Sequence, residues 1–191
     1  MKKILAFSAV MLLAAVPVSA KTIGPGTFEF SGDTELSYFS NTNEFKDKTF
    51  GDSEKIDTTT TKLSLSGSYY AIPNLGVGLL VSFETADTEG DKETATAIGP
   101  QVIYQFGLSE AANVFIAAAV GYNKVEAESD GESADADGFF WAVGGGLKFF
   151  PTNNFSVDAM IQYASHNYED SDFEVEASGF GFGVGFSVYL P

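Results

Sequence analysis

Apolar and polar residues alternate along most of the chain after its first twenty residues. Segments such as 28–38 and 139–149 place mainly large apolar residues at every second position, which is the period of a β-strand and not of a helix. Runs with this period predict eight strands, at residues 27–40, 58–72, 77–85, 94–106, 114–125, 138–150, 155–167 and 173–190. The pattern therefore predicts an all-β chain.

The connections between these runs alternate in character. Three are short turns at residues 73–76, 108–113 and 151–154, and four are acidic and mostly longer, at residues 41–57, 86–93, 127–137 and 168–172. Tight turns at one end and longer loops at the other are typical of an up-and-down barrel in an outer membrane. We therefore predict one transmembrane antiparallel β-barrel of eight strands, with both termini at the short-turn end.

The residues between the apolar rows indicate which face meets lipid. They are small or neutral, whereas a strand face in water would carry many Lys and Glu. They include Ser64, Ser66, Ser68, Gln101, Gln105, Gly181, Gly183, Gly185 and Ser187. The four acidic connections and the strand ends beside them hold 21 of the 26 acidic residues. We predict that the polar rows line the interior.

The apolar rows are then expected to form the lipid-facing band. They comprise Leu79, Val81, Phe83, Val102, Tyr104, Phe106, Val157, Ala159, Ile161, Tyr163, Phe182, Val184, Phe186, Val188 and Leu190. Aromatic residues near strand ends, such as Tyr69 and Phe149, fit the interfacial girdles of such barrels.

The first twenty residues have the features of a secretory signal peptide. Lys2 and Lys3 precede an apolar run at 4–16, and the small-residue stretch 18–20 follows Pro17. The fifteen residues 4–18 are fewer than the roughly 20 that a membrane-spanning helix needs. We predict cleavage between Ala20 and Lys21, which gives a signal peptide at 1–20, a barrel domain at 21–191 and export through the periplasm to the outer membrane of a Gram-negative-type bacterium.

Composition excludes several classes of function. The chain has no cysteine, so it has no disulfide framework, thiolate metal site or Cys nucleophile. Without the two leader lysines its formal charge changes from −16 to −18, which would repel nucleic acid. Eighteen Phe and eight Tyr argue against a disordered acidic chain. We expect no cofactor and no nucleic-acid partner.

Three segments carry a resemblance to a known family: Gly144-Gly145-Gly146-Leu147-Lys148-Phe149-Phe150-Pro151, then residues 155–159, and the closing strand at 179–190. With them the mature chain resembles the small eight-stranded outer-membrane barrels of the OmpA and OmpX type. The resemblance implies a lumen that side chains fill, and no open pore. The chain departs from these barrels at its end, Tyr189-Leu190-Pro191, where they commonly end on an aromatic residue.

Five charged residues fall on the inward rows. Glu35, Lys62 and Glu84 are expected at similar heights towards the acidic-loop end, and Lys148 and Asp158 near the turn at 151–154. Because buried charges must be paired, we predict two interior ion-pair clusters that stabilise the barrel. The alternative is that these charges are merely hydrated at the barrel mouth.

His166 is the strongest candidate for catalysis, because it is the one histidine and follows Ser165. Alternation predicts that Ser165 faces lipid and His166 the lumen, so that they diverge and cannot form the hydrogen bond that activates a nucleophile. We therefore predict no catalytic residue and no enzyme.

The acidic run Glu126, Glu128, Asp130, Glu132, Asp135 and Asp137 could attract Ca²⁺ or Mg²⁺. It lacks EF-hand spacing, and a solvated loop is the simpler interpretation, so no metal site is predicted. Divalent ions that bridge these carboxylates to lipopolysaccharide remain an alternative. The glycine stretches at 144–146 and 179–185 lead into no helix and are not phosphate cradles.

These observations favour an integral outer-membrane barrel with a structural or surface-interaction role, acidic extracellular loops and outer-membrane lipid as its partner. One rival is a narrow porin-like channel for small solutes, and another is a lipid-modifying enzyme centred on His166. A third is a secreted soluble barrel that binds a small ligand.

Overall fold

The computed structural model describes residues 21–43, 54–88, 91–129, 132–169 and 174–191. Eight strands account for nearly all of them: β1 (Phe28–Asn43), β2 (Glu54–Ile72), β3 (Leu75–Thr88), β4 (Asp91–Ser109), β5 (Ala112–Ser129), β6 (Glu132–Thr152), β7 (Phe155–Glu169) and β8 (Glu174–Leu190). The predicted all-β fold and its eight strands are confirmed. The predicted signal peptide lies outside the described residues, and Lys21 is the first of them.

Each strand pairs antiparallel with the next one along the chain, and β8 pairs with β1 to close the barrel. The closing pairs run from Phe28 opposite Leu190 to Phe39 opposite Gly179. Because the barrel is closed, the backbone N–H and C=O groups of β1 and β8 pair with each other within the wall. A bilayer requires such pairing, since lipid offers backbone groups no hydrogen bonds.

The strands continue further into the acidic segments than the sequence predicted. β5 runs to Ser129 and β6 begins at Glu132, so most of the predicted loop at 127–137 is a hairpin with Glu126 opposite Asp135. The prediction ended the strands where acids accumulate, because Asp and Glu are poor strand formers. In the structure, pairing with the neighbouring strand continues into the acidic segments despite the low strand preference of Asp and Glu. Asp130 and residues 44–53, 89–90 and 170–173 lie outside the described residues.

The three predicted turns lie where the sequence placed them, and each is two residues long in the structure, at 73–74, 110–111 and 153–154. Asn74 adopts a left-handed backbone with φ of 65°. Among residues with a side chain, asparagine is one of those that tolerate this region best.

The apolar rows face outward and the polar rows inward, as predicted. Phe83, Trp141 and Phe186 are 45%, 41% and 53% exposed, whereas Ser64 and Ser187 are buried. A protein that exposes a continuous belt of large apolar side chains, with polar atoms inside, is built for a hydrocarbon solvent. In the described part of the chain, no helix is long and apolar enough to cross a membrane.

Residues 21–27 form an N-terminal strap under the short-turn end of the barrel. The Ile23 amide donates to Asn74 Oδ1 at 2.8 Å, and the Asn74 amide donates back to the Ile23 carbonyl at 3.0 Å. The Gly26 amide donates to the Tyr70 carbonyl at 2.8 Å. These bonds carry the Ile23 side chain into the barrel mouth, where it is 4% exposed.

Candidate functional site in the barrel lumen

The end of the lumen near the short turns contains a dense polar network around Lys148. The Lys148 Nζ donates to Asp158 Oδ2 at 2.6 Å, to Ser187 Oγ at 2.7 Å and to Glu29 Oε1 at 2.8 Å. The register explains the contacts with β7 and β8, because Lys148 lies opposite Asp158, and Asp158 lies opposite Gly185, two residues from Ser187 on the same face of β8. Both the Lys148 and the Glu29 side chains are 2% exposed.

Two carboxylates share this one ammonium group, and neutral donors stabilise the remaining negative charge. Glu29 Oε2 accepts from the Tyr70 hydroxyl and, at 3.0 Å, from Gln105 Nε2. The Ser156 hydroxyl donates to Asp158 Oδ1 at 2.6 Å. Hydrogen bonds to ionised groups are short and strong, and the geometry here is of that kind.

A hydrophobic layer closes the lumen beneath this network. It consists of Ile23, Tyr70, Ile103, Phe115, Phe150 and Tyr189. The Lys21 ammonium lies 3.9 Å from the centre of the Phe150 ring and donates to the Asn153 carbonyl at 2.8 Å. Partial burial lowers the pKa of this lysine, which lies outside the membrane-spanning strands. We call the polar network and this layer together the periplasmic cluster, because the short-turn end is the one predicted to face the periplasm.

A second, looser set of charges lies towards the other end. The Lys62 Nζ is 3.9 Å from Glu35 Oε2, and the two side chains are 6% and 1% exposed. Gln162 donates to the same Glu35 oxygen. Glu84 lies directly opposite Lys62 in the β2–β3 register. We call Glu35, Lys62 and Gln162 the outer cluster.

Gly181 provides the space that the Glu35 carboxylate occupies. A Cβ built on Gly181 would collide with Glu35 Oε1 and Cδ. A side chain at position 181 would therefore have to displace the Glu35 carboxylate, and the glycine allows this close approach.

His166 lies in the lumen near the acidic ends of the strands. Its Nδ1 is 3.0 Å from Asn123 Nδ2, and its ring stacks on Phe140 with centroids 5.9 Å apart. The ring is also parallel to that of Tyr168, at 6.1 Å. These contacts give it the environment of a packed aromatic side chain.

Ser165 lies on the outward row of β7, the side that the alternation predicted, but its side chain is only 3% exposed. It is directly opposite Trp141. Trp141 packs on Tyr163, two residues along β7, with ring centroids 5.6 Å apart. We attribute the burial of the small serine side chain to these large neighbours.

A cavity of about 90 Å³ lies between the periplasmic and outer clusters. Carboxylates and hydroxyls line one part of it, among them Asp33, Ser64 and Asp158, and Ile103, Phe115 and Met160 line another. A space of this size holds a few water molecules.

The acidic hairpin end of β5 and β6 contains exposed ion pairs. The Lys124 Nζ is 2.8 Å from Glu126 Oε1 and 3.6 Å from Asp135 Oδ2, and the two acidic side chains are 64% and 68% exposed. Among the described residues, no group of three or more acidic or histidine side chains is arranged to hold a metal ion.

Comparison with known proteins identifies the family. The family model described as the outer membrane protein beta-barrel domain matches residues 6–187. The chain belongs to this family. It is therefore a protein of the outer membrane, and the predicted localisation and resemblance are confirmed.

Solved structures of the same fold are distant in sequence. Neisserial surface protein A has a TM-score of 0.67 at 15% identity, with 88% of this chain and 98% of that chain covered. Ail, the attachment invasion locus protein of Yersinia pestis, has a TM-score of 0.51 at 17% identity, with 87% and 99% covered. The N-terminal barrel of Pseudomonas aeruginosa OprF has a TM-score of 0.50 at 18% identity, with 86% and 99% covered. Comparison with curated proteins gives no significant match.

The structure brings Lys148 to Asp158 and Lys62 to Glu35, and it adds residues that the sequence prediction did not include. Glu29 was missed, although it lies between Phe28 and Phe30 on the inward row of β1 and is the second carboxylate on Lys148. Its alternation with two large outward residues was the signal that could have identified it. Nothing local predicted that Tyr70 and Gln105 reach the same carboxylate from β2 and β4.

Proposed function

We propose that this member of the outer membrane protein β-barrel family is a closed, non-conducting barrel with a structural and surface-interaction role. The observation that carries the proposal is the Lys148 network, in which side chains from β1, β2, β4, β6, β7 and β8 meet across the lumen. An eight-stranded barrel is only about wide enough for side chains to fill it. Cross-lumen hydrogen bonds of this density leave no path for a hydrated solute.

Two further layers support a closed lumen. The apolar side chains of the periplasmic cluster lie beneath the Lys148 network, and the outer cluster lies above the central cavity. An ion that moved through the barrel would have to break charge-assisted hydrogen bonds at two levels. Such a barrier favours a permanently closed barrel over a narrow channel.

Planar bilayer recordings test this proposal. We expect no steady single-channel conductance from the purified wild-type barrel. Stepwise channels would contradict the proposal if their conductance or ion selectivity changed in Lys148→Gln, because the current would then pass Lys148. Channels identical in wild type and variant would come from a contaminating porin, and repeating the recordings on porin-free material would then decide the matter.

We also propose that the acidic strand ends are the interaction surface, with divalent cations bridging them to the phosphates of lipopolysaccharide. Exposed Glu126 and Asp135 lie at the end of the barrel opposite the two-residue turns. Two anionic surfaces repel each other, and hard divalent cations bind oxygen ligands from both. The proposal makes the cation necessary for contact with the lipid headgroup.

Vesicle experiments with a matched control test this interaction. In lipopolysaccharide-containing vesicles, Ca²⁺ is expected to raise the unfolding midpoint of the wild type, and a chelator to reverse the rise. The double variant Glu126→Gln, Asp135→Asn should lose much of this response. Glu110→Gln, which removes an exposed acid at the opposite end of the barrel, should keep it. Equal responses of both variants, or an equal response in phospholipid-only vesicles, would overturn the proposal.

We propose no reaction for this barrel. Ser165 and His166 occupy opposite rows of β7, and the His166 ring stacks on Phe140 and lies parallel to Tyr168. Deacylation of lipopolysaccharide by the purified wild type, lost in His166→Ala, would reverse this conclusion.

A further inference from the structure

The lipid-facing wall contains a groove of about 580 Å³ that crosses β5 and β6. Its floor is formed by the outward positions Ala118 on β5 and Gly145 on β6. Its walls are formed by larger residues, namely Val102, Tyr104, Ile116, Val143, Ile161, Tyr163 and Phe180. We call this depression the lipid-facing groove.

The strand register explains why the wall is depressed here. Ala118 lies opposite Val143, and Gly145 lies opposite Ile116 on one side and Ile161 on the other. The two small residues are therefore diagonal neighbours surrounded by branched side chains that project into the membrane. Val143 and Ile161 are 47% and 57% exposed, so these walls stand clear of the backbone.

Aromatic side chains border the groove at both ends. Towards the acidic strand ends, Trp141 packs on Tyr163 at 5.6 Å between centroids, and Tyr163 packs on Phe180 at 5.0 Å. Towards the short turns, Tyr104 packs on Phe106 at 4.6 Å. These packed aromatic rings bound the groove at both ends.

The groove is continuous with the lipid-facing surface of the barrel. Lipid is therefore the molecule that is in contact with it. Between apolar surfaces in hydrocarbon there is no hydrophobic driving force, so close packing decides what binds. An acyl chain on the flat wall is touched on one side, whereas a chain in the groove is touched on the floor and both walls and gains dispersion contacts. We propose that the lipid-facing groove binds one acyl chain of an outer-membrane lipid.

The wall beneath the groove is thin but closed. The groove and the central cavity of the lumen share seven lining residues, namely Ala117, Ala118, Val143, Gly144, Gly145, Ile161 and Gln162. Ladder pairing continues across this region, with Ala117 opposite Gly144 and Gly144 opposite Gln162. The paired backbone separates the groove from the lumen, so we expect the acyl chain to bind on the outer surface.

A groove-filling variant tests the proposal against a matched control. In Ala118→Trp the indole would occupy the groove, whereas Ala159→Trp places the same side chain on an outward position of β7 that does not line it. Electron spin resonance with a chain-labelled phospholipid measures the motionally restricted lipid per barrel. We expect Ala118→Trp to lose about one restricted chain relative to the wild type, and Ala159→Trp to lose none. Heat-modifiable migration on a detergent gel checks that both variants fold.

Two outcomes would overturn the proposal. The first is an equal restricted population in the wild type and in both folded variants. The second is occupation by another copy of the chain, which the absence of native cysteine makes easy to detect. Disulfide-linked dimers of Ala118→Cys, without dimers of Ala159→Cys, would assign the groove to a protein interface.

Discussion

The two charged clusters of the lumen use the same residue types but differ in how closely the opposite charges approach each other. In the periplasmic cluster, Lys148 contacts two carboxylates at 2.6 and 2.8 Å, and neutral donors bind those carboxylates in turn. In the outer cluster, Lys62 approaches Glu35 only to 3.9 Å. The difference teaches that alternation alone can place a charge inside a barrel, whereas tight pairing needs several strands to converge on it.

The position of each cluster along the barrel accounts for this difference. Beneath the periplasmic cluster lie two-residue turns and the N-terminal strap, which are joined to the strands by backbone hydrogen bonds. The outer cluster lies nearer the acidic hairpin ends, where exposed pairs such as Lys124 with Glu126 are solvated. We therefore expect substitutions to destabilise the barrel most at the periplasmic cluster, less at the outer cluster and least at the hairpin ends.

The largest loss of stability is expected for Lys148→Met. The substitution leaves Glu29 and Asp158 buried near each other without their shared cation, and an uncompensated buried charge costs about 3–5 kcal/mol. Urea unfolding in lipid vesicles measures the change in the free energy of unfolding. A loss no larger than that of Lys62→Met would show that the two clusters are energetically equivalent.

Ile23→Ala should have the next largest effect. The side chain is buried in the apolar layer that includes Tyr70, Ile103 and Phe115, and its removal leaves a cavity that costs about 2–3 kcal/mol. Ile161→Ala, on the lipid face, is the matched control and should change stability much less, because lipid fills the space. Equal losses of stability in the two variants would mean that Ile23 of the strap contributes no more to stability than a lipid-exposed isoleucine does.

Lys62→Met tests the outer cluster directly. Glu35 keeps its hydrogen bond from Gln162 but loses its cation, so we expect a cost of about 1–3 kcal/mol. An unchanged unfolding midpoint would mean that these charges are hydrated, and the outer cluster would then have no stabilising role.

Gly181→Ala sharpens the same test, with an expected cost of about 1 kcal/mol from overpacking. The added methyl group would displace the Glu35 carboxylate, so truncating that side chain in Gly181→Ala, Glu35→Ala should relieve the clash and give a non-additive result. Gly24→Ala is the control, because a Cβ there meets nothing within 4 Å. Strict additivity in the double variant would show that Gly181 does not act through Glu35.

The smallest effect is expected for Lys124→Met at the hairpin end. Its partners Glu126 and Asp135 are mostly exposed, and solvent screens such pairs. The unfolding midpoint should match that of the wild type in vesicles without lipopolysaccharide. A clear loss of stability would show that the ion pairs at the hairpin end stabilise the barrel, contrary to the order of effects expected from the comparison of the two clusters.

The sequence by itself determined the number of strands, because a period of two is a local property that each strand carries alone. Alternating short turns and longer loops predicted the antiparallel order, and the small, neutral residues between the apolar rows predicted which face meets lipid. The sequence also placed Lys148 and Asp158 on neighbouring strands near one turn, which nearest-neighbour pairing made predictable. The strand ends in the acidic segments were not predictable, since pairing with a neighbour overrides the local preference of acidic residues.

Only the tertiary structure decided which side chains meet across the lumen. Glu29 and Lys148 are 119 positions apart, and Glu29 and Gln105 are 76 apart. Their contact depends on barrel closure, on the tilt of the strands and on side-chain length, none of which is contained in a local pattern. The lipid-facing groove likewise exists only because the register places Ala118 diagonal to Gly145.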